Sequence, residues 1–462
     1  MKPFNKEREL RKLKFKQNKE KYIKYGTIGM SCLILVLGVM YFTFAKFESN
    51  SPEWTLIHGK VVAPAKDVNI VAIYQGETKV DSIPAKGSGW HFQKAECTNG
   101  TTAKWNNETW NLTIDFTKKT KCSIYFVEGD NAVTKIQSIV AGSSTSSTDV
   151  INKGTDSSGC TNTLAYDGTS DNNLRYVGTN PCNYVTYNGE TAGWRIIGVF
   201  NNMYTTESNY YNRTNSQSLI KLIRTESLGN YSWDSSSSSV NDGWGVNEWS
   251  QADLMNELNK DYLGTSWAGS TWYNGTSNSK TKSKPSTTLN STAQNMIQDV
   301  LWNLGTQVKG GVSTWKVSNM YMFERSSNML CSTETSCGDG VTRTTKWYGK
   351  GALMYPSDYG YATAGGSTTT RTTCLNTSLF SWNDTKVSNC KEYDWLFDSS
   401  HYQWTLSPFD SSERAVLSIE NDGQVTSKNA GISIEVHPSL FLKSSVQITG
   451  GTGTATDPYT LG

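Results

Sequence analysis

Apolar and polar positions alternate with a period of two along much of this chain, and that period predicts strands. In residues 67–74, DVNIVAIY, the side chains of Val68, Ile70, Ala72 and Tyr74 share one face, with Val71 and Ile73 on the other. Leu112, Ile114 and Phe116 alternate in NLTIDF, as Cys122, Ile124 and Phe126 do in CSIYF. Turn signals at Gln75-Gly76, Lys86-Gly87 and Asn99-Gly100 separate these runs, so residues 46–130 read as a small β-sandwich. Further strands are expected at 184–187, 193–200 and 218–224, then at 352–355, 403–406, 415–420, 424–428, 432–436 and 439–442. Asp422-Gly423, between two of these, is a strong hairpin signal.

Three stretches carry the helical period instead. Residues 130–140 space Ala132, Val133, Ile136, Ile139 and Val140 as a short helix would. A helix beginning near Ser250 would place Leu254, Leu258 and Tyr262 on one stripe. Another begins at Ser291, whose S-x-x-Q spacing to Gln294 is that of a capping box. It would carry Met296, Ile297, Val300, Leu301 and Leu304 before Gly305 stops it. Strands, two helices and a closing run of antiparallel strands make the expected fold class α+β.

One stretch has neither period. Residues 25–45, YGTIGMSCLILVLGVMYFTFA, contain no formal charge. At ~1.5 Å per residue a helix of this length spans roughly 30 Å, the hydrocarbon thickness of a bilayer. The run exceeds the apolar core of a cleaved signal peptide, so an uncleaved transmembrane helix is expected. Residues 1–24 hold ten Lys and Arg against three Glu, and the positive-inside rule keeps such a tail in the cytoplasm. The expected organisation is a basic tail at 1–24, an anchor at 25–45, a β-sandwich spacer at 46–130, a helix and Ser/Thr/Gly linker at 131–158, and a distal domain at 159–462. The expected location is the cell membrane, crossed once, with the bulk of the chain extracellular.

Composition changes the picture in two ways. Beyond Lys24 the chain holds 33 basic and 38 acidic residues, a mildly acidic balance that argues against nucleic acid as a partner. Sixteen Trp and twenty-three Tyr sit among many Ser, Thr, Asn and Gly, a mixture that suits the hydrogen-bonding surfaces of sugar binders and equally any wet, loop-rich ectodomain. Of nine cysteines, Cys32 lies in the apolar run, and the others form local pairs: Cys97/Cys122, Cys160/Cys182, Cys331/Cys337 and Cys374/Cys390. Eight cysteines allow 105 connectivities, and the sequential scheme is expected because each pair lies within one structural unit. Their spacing offers no zinc site, and the four histidines (His58, His91, His401 and His437) form no Ser-His-Asp grouping.

The closing segments resemble the C-type-lectin-like ectodomains of bacterial surface proteins. That pattern, W-[ST]-x-[ST], a hairpin and V-R-P-x-[LI], is matched by Trp404-Thr405-Leu406-Ser407, Asp422-Gly423 and Val436-His437-Pro438-Ser439-Leu440, with His437 where the family has Arg. The segments LRYVGTNPCNYVTYNG, WRIIGVF and GALMYPSDYGYA are similar to those of anchored Gram-positive surface proteins with no assigned activity. The resemblance implies a distal lectin-like domain that binds a glycan or protein ligand outside the cell. A structural subunit of a surface fibre, or an enzyme of the formylglycine-generating type, are the alternatives. In such folds the loops before the closing strands meet the ligand, which here nominates Tyr359, Tyr361, Trp382, Asn383 and Asp384. Calcium-dependent lectins carry the triplet Trp-Asn-Asp, present as Trp382-Asn383-Asp384, but the accompanying Glu-Pro-Asn type of triplet is missing. Asp167, Asp171 and Asn173 offer hard oxygens as weak calcium candidates.

Overall fold

The structure is a computed structural model that describes residues 68–86, 88–106, 110–115, 119–235, 244–264, 284–305, 311–327, 343–410 and 412–462. The chain forms two compact units, Met1–Glu128 and Gly129–Gly462.

In the first unit, alternation builds a four-stranded sheet. Its order is Thr78–Val80, Val68–Gln75, Thr120–Glu128 and Trp90–Cys97, with the two central strands parallel. Along Thr120–Glu128 the alternate side chains of Thr120, Cys122, Ile124 and Phe126 are buried. A two-stranded ribbon, Thr102–Asn106 with Asn111–Asp115, places Leu112 and Ile114 in that same core. The Phe92 and Trp105 rings stack between them, with centroids 5.1 Å apart.

The second unit is mostly β, with a half-barrel sheet and a few short helices. The path of the large sheet runs Ile297–Gln298, Ser439–Leu442, Gln217–Arg224, Glu190–Met203, Tyr184–Tyr187, Tyr459–Leu461, Gln447–Gly450 and Asp130–Asn131. A five-stranded sheet lies beside it in the order Asn230–Ser232, Ser433–Glu435, Gln403–Pro408, Ala415–Ile419 and Val425–Asn429. The Asp-Gly hairpin joins the last two, with Gly423 at φ +91°, a backbone that side chains rarely adopt. One continuous core fills the unit, with Trp194, Trp233, Trp249, Trp302 and Trp404 all buried.

Two expectations need correction. The fold class is mostly β, with a half-barrel sheet and a few short helices, rather than the expected C-type-lectin-like α+β domain with two helices, and among the described residues no α-helix exceeds eight residues. The helix expected over 291–304 is helical only at Ser291–Met296, capped by Asn290, whose side chain accepts from the Ala293 amide. Ile297 then pairs with Leu442 in the large sheet, and Val300–Asn303 pairs with Lys346–Gly349. β-branched Ile297 and Val300 suit strands, and long-range partners decide the matter. The helix near Ser250 does form, as Asp253–Glu257 continued by a π-turn Leu258–Tyr262, and it buries Leu254, Leu258 and Tyr262.

The second correction concerns location. Among the described residues no helix is long and apolar enough to cross a membrane, so the expected single-pass anchor has no support. The run 25–45 that carried that expectation, and the basic tail before it, lie outside the described residues.

Three of the four expected cysteine pairs are disulfides: Cys97–Cys122, Cys160–Cys182 and Cys374–Cys390, with Cα separations of 4.1, 5.2 and 5.3 Å. Cys331 and Cys337 lie outside the described residues. Such bonds persist in oxidising compartments.

Candidate functional site

The nominated ligand-binding residues do not form an exposed platform. Tyr359, Tyr361 and Trp382 are buried. Tyr359 packs 5.1 Å from Trp382 and donates its hydroxyl to the Gly423 carbonyl at 2.9 Å, so both rings are core. Asn383 and Asp384 are exposed beside them. Asp384 caps a short 3-10 turn through the Lys386 amide, and Asn383 bonds Asp422 at 3.3 Å.

The calcium candidates are also engaged elsewhere. Asp167 accepts from the amides of Thr169 and Asn173 and from the Thr169 hydroxyl with one oxygen, and from Asn173 and Arg175 with the other. Asn173 presents its carbonyl to the Asn201 amide at 2.8 Å, and Asp171 accepts from the Tyr321 hydroxyl and pairs with Arg325. These oxygens stitch a turn to a buried charge network rather than face a cation. In that network Arg175 bridges Asp167 and Asp358, and Lys221 reaches Asp358 at 2.5 Å. Burial opposes ionisation of Asp358, yet Lys221 and Arg175 hold its carboxyl below the usual range.

A cavity of about 470 Å³ opens beside the network, walled by Asp167, Thr169, Tyr321, Met322, Tyr361 and Asn376. It brings Asp167 and Tyr361 together. Its acidic group is already matched by Arg175, so it offers no unbalanced charge to a ligand.

A second cavity, of about 370 Å³, is lined by the carboxylates Glu226 and Asp398 but also holds a cationic side chain that neither of them pairs with. Strand register builds its floor: Arg195 lies opposite Tyr184 on one neighbouring strand and Ile223 on the other, and all three line the cavity. Arg195 is only 7% exposed. Its guanidinium sits between the Tyr184 and Trp395 rings, 4.2 and 4.4 Å from their centroids. Nε donates to the Asn183 side-chain oxygen at 2.7 Å and Nη2 to the Pro181 carbonyl at 3.1 Å. These partners are neutral, and among the described residues no carboxylate pairs with Arg195. Burial accordingly lowers its pKa to about 10, against a small opposing effect of Tyr184, and the group stays charged at neutral pH. Arg224, on the same wall, is by contrast matched by Glu190 at 2.9 Å.

Polar groups rim this floor. Gln403, Asp398 and His437 line the cavity. Asp398 accepts from exposed His401 Nδ1 at 2.9 Å, and Glu435 stands 3.6 Å from the same nitrogen. His437 places Nε2 3.1 Å from Glu435 and Nδ1 3.1 Å from the Arg224 carbonyl. The strand pairing of Gln403 with Glu435 brings the 398–401 turn and residues 435–437 together. The Asp398 and Glu435 partners hold His401 above the ordinary imidazole range, and Asp398 is lowered despite its own partial burial.

Sequence reasoning passed over this site. One signal was available: Arg195 is the sole charge inside the apolar run GWRIIGVF, and a charge buried within a strand requires a reason. The Asp398–His401–Glu435 grouping joins residues up to 37 positions apart and follows from tertiary pairing.

Compared with known proteins, the chain matches no family model, no curated protein and no solved structure.

Proposed function

We propose that the second unit is a binding module that takes an acidic carbohydrate in the cavity above Arg195. The observation that carries this reading is the buried Arg195 cation, which meets only neutral partners and faces open space. A carboxylate or sulfate is the complementary group, and the fork of a guanidinium favours planar, two-point recognition. Gln403, Asp398 and Glu226 around the same cavity suit hydroxyl groups, which favours a sugar ring over a simple anion. An acidic side chain of a protein ligand is the second reading, supported by the same charge but not by the polar rim.

The test is a glycan array with the full-length protein, comparing sialylated, uronic-acid and sulfated glycans with their neutral counterparts. Retention of acidic glycans, weakened by salt and lost in Arg195→Gln, is the expected result. Equal retention of neutral glycans, or undiminished binding by a folded Arg195→Gln variant, would overturn the reading.

A further inference from the structure

From the rim of that cavity we infer a divalent transition-metal site formed by Asp398, His401 and Glu435, with His437 alongside. One ligand atom from each of the first three lies within 4.8 Å of the others. Ligands around a tetrahedral zinc ion, at ~2.0–2.1 Å from it, stand about 3.3–3.4 Å apart. The measured separations from His401 Nδ1, 2.9 Å to Asp398 and 3.6 Å to Glu435, bracket that edge, so small side-chain rotations would admit the ion.

A second observation is independent of this spacing. Both ring nitrogens of His437 face acceptors, Nδ1 the Arg224 carbonyl and Nε2 the Glu435 carboxylate. The contact of Nδ1 with a backbone carbonyl is the kind that orients metal-binding histidines, and it leaves Nε2 directed at Glu435 beside the cluster. Imidazole with carboxylates suits zinc and its neighbours, whereas calcium prefers oxygen alone. The two carboxylates offset the charge of the ion, and the exposure of His401, 54% for its side chain, leaves a coordination position for water or ligand.

The inference stands apart from the acidic-carbohydrate reading, because metal binding is read directly. Full-length protein is stripped with a chelator and titrated calorimetrically with zinc, and separately with cobalt, whose visible spectrum reports ligand number. The expected result is one metal ion bound with tetrahedral-type cobalt bands, weakened about 100-fold or more in His401→Ala and in Asp398→Asn. Both positions are at the surface or rim, and unchanged far-ultraviolet dichroism would establish that the variants fold. Absence of stoichiometric binding, or binding equal in wild type and both variants, would reduce the cluster to hydrogen-bonded pairs and overturn the inference.

Discussion

Trp395 holds Arg195 from one side while being held itself: its ring lies 4.4 Å from the guanidinium, and its indole N–H donates to the Tyr176 carbonyl at 2.9 Å. Trp395→Phe keeps a ring over Arg195 and removes the hydrogen bond, which should lower stability by about 1 kcal/mol and leave acidic-glycan binding within a few-fold. Trp395→Ala removes the stacking partner as well and should weaken binding much more. Denaturant titration and glycan binding on the same two variants separate these effects.

Charge alone is not sufficient at position 195. Arg195→Lys preserves the cation but loses the planar contact with Tyr184 and Trp395 and the fixed fork of donors. Affinity for an acidic glycan should fall about tenfold, against a near-complete loss in Arg195→Gln. Equal affinities for Lys and Arg would show that the site reads only net charge.

Asp358 is the hinge of the buried charge network, with Arg175 on one oxygen and Lys221 on the other. Asp358→Asn leaves Lys221 buried without its carboxylate and should destabilise the unit by about 3–5 kcal/mol. A shift of the urea midpoint without a change in slope is the expected signature.

Glu324 should impose a pH dependence of its own. It is buried, accepts from the Ser357 amide and hydroxyl, and burial raises its pKa to about 7 from 4.5, with Arg325 opposing the shift. The folded protein keeps a proton that the unfolded chain releases, so stability from this group falls as pH rises from about 4.5 to 7 and is level above. Glu324→Gln removes that dependence. Its stability relative to wild type should improve across this window, by an amount on the order of 3 kcal/mol, read as melting temperature against pH. A constant difference between the two proteins over the window would refute the assignment.

The Cys374–Cys390 bond closes a 16-residue separation that contains Asn383 and Asp384. Replacing both cysteines by Ser should lower stability by about 3 kcal/mol, measured by thermal unfolding without reductant.

Local signals in the sequence were legible wherever a segment's own pattern agreed with its final partners. Tyr184–Tyr187 and Ser439–Leu442 form strands where alternation placed them, and the Asp422-Gly423 hairpin turns where its residues demand. The stretch from Ile297 to Asn303 misled because helical spacing and strand pairing both bury Ile297, Val300 and Leu301, and only distant strands choose between them. Aromatic content misled at the site for a related reason. Tyr359 and Trp382 are as consistent with a core as with a sugar platform, and burial is not written in residue type. Arg195 was readable as an anomaly, but its lack of a carboxylate depends on what packs above it.

The strand Tyr459–Leu461 lies inside the large sheet, parallel to Tyr184–Tyr187 on one side and antiparallel to Gln447–Gly450 on the other. About 270 residues therefore leave the ribosome between Val185 and the partner that covers its strand, Tyr459. Until then the floor strand beside Arg195 presents an open edge of unpaired amides and carbonyls, the kind that captures other chains. Closing so long a loop is entropically costly, so this edge of the sheet is covered late in folding. A nascent-chain holdase, or prompt formation of Cys160–Cys182 at the near end of that edge, would protect the interval.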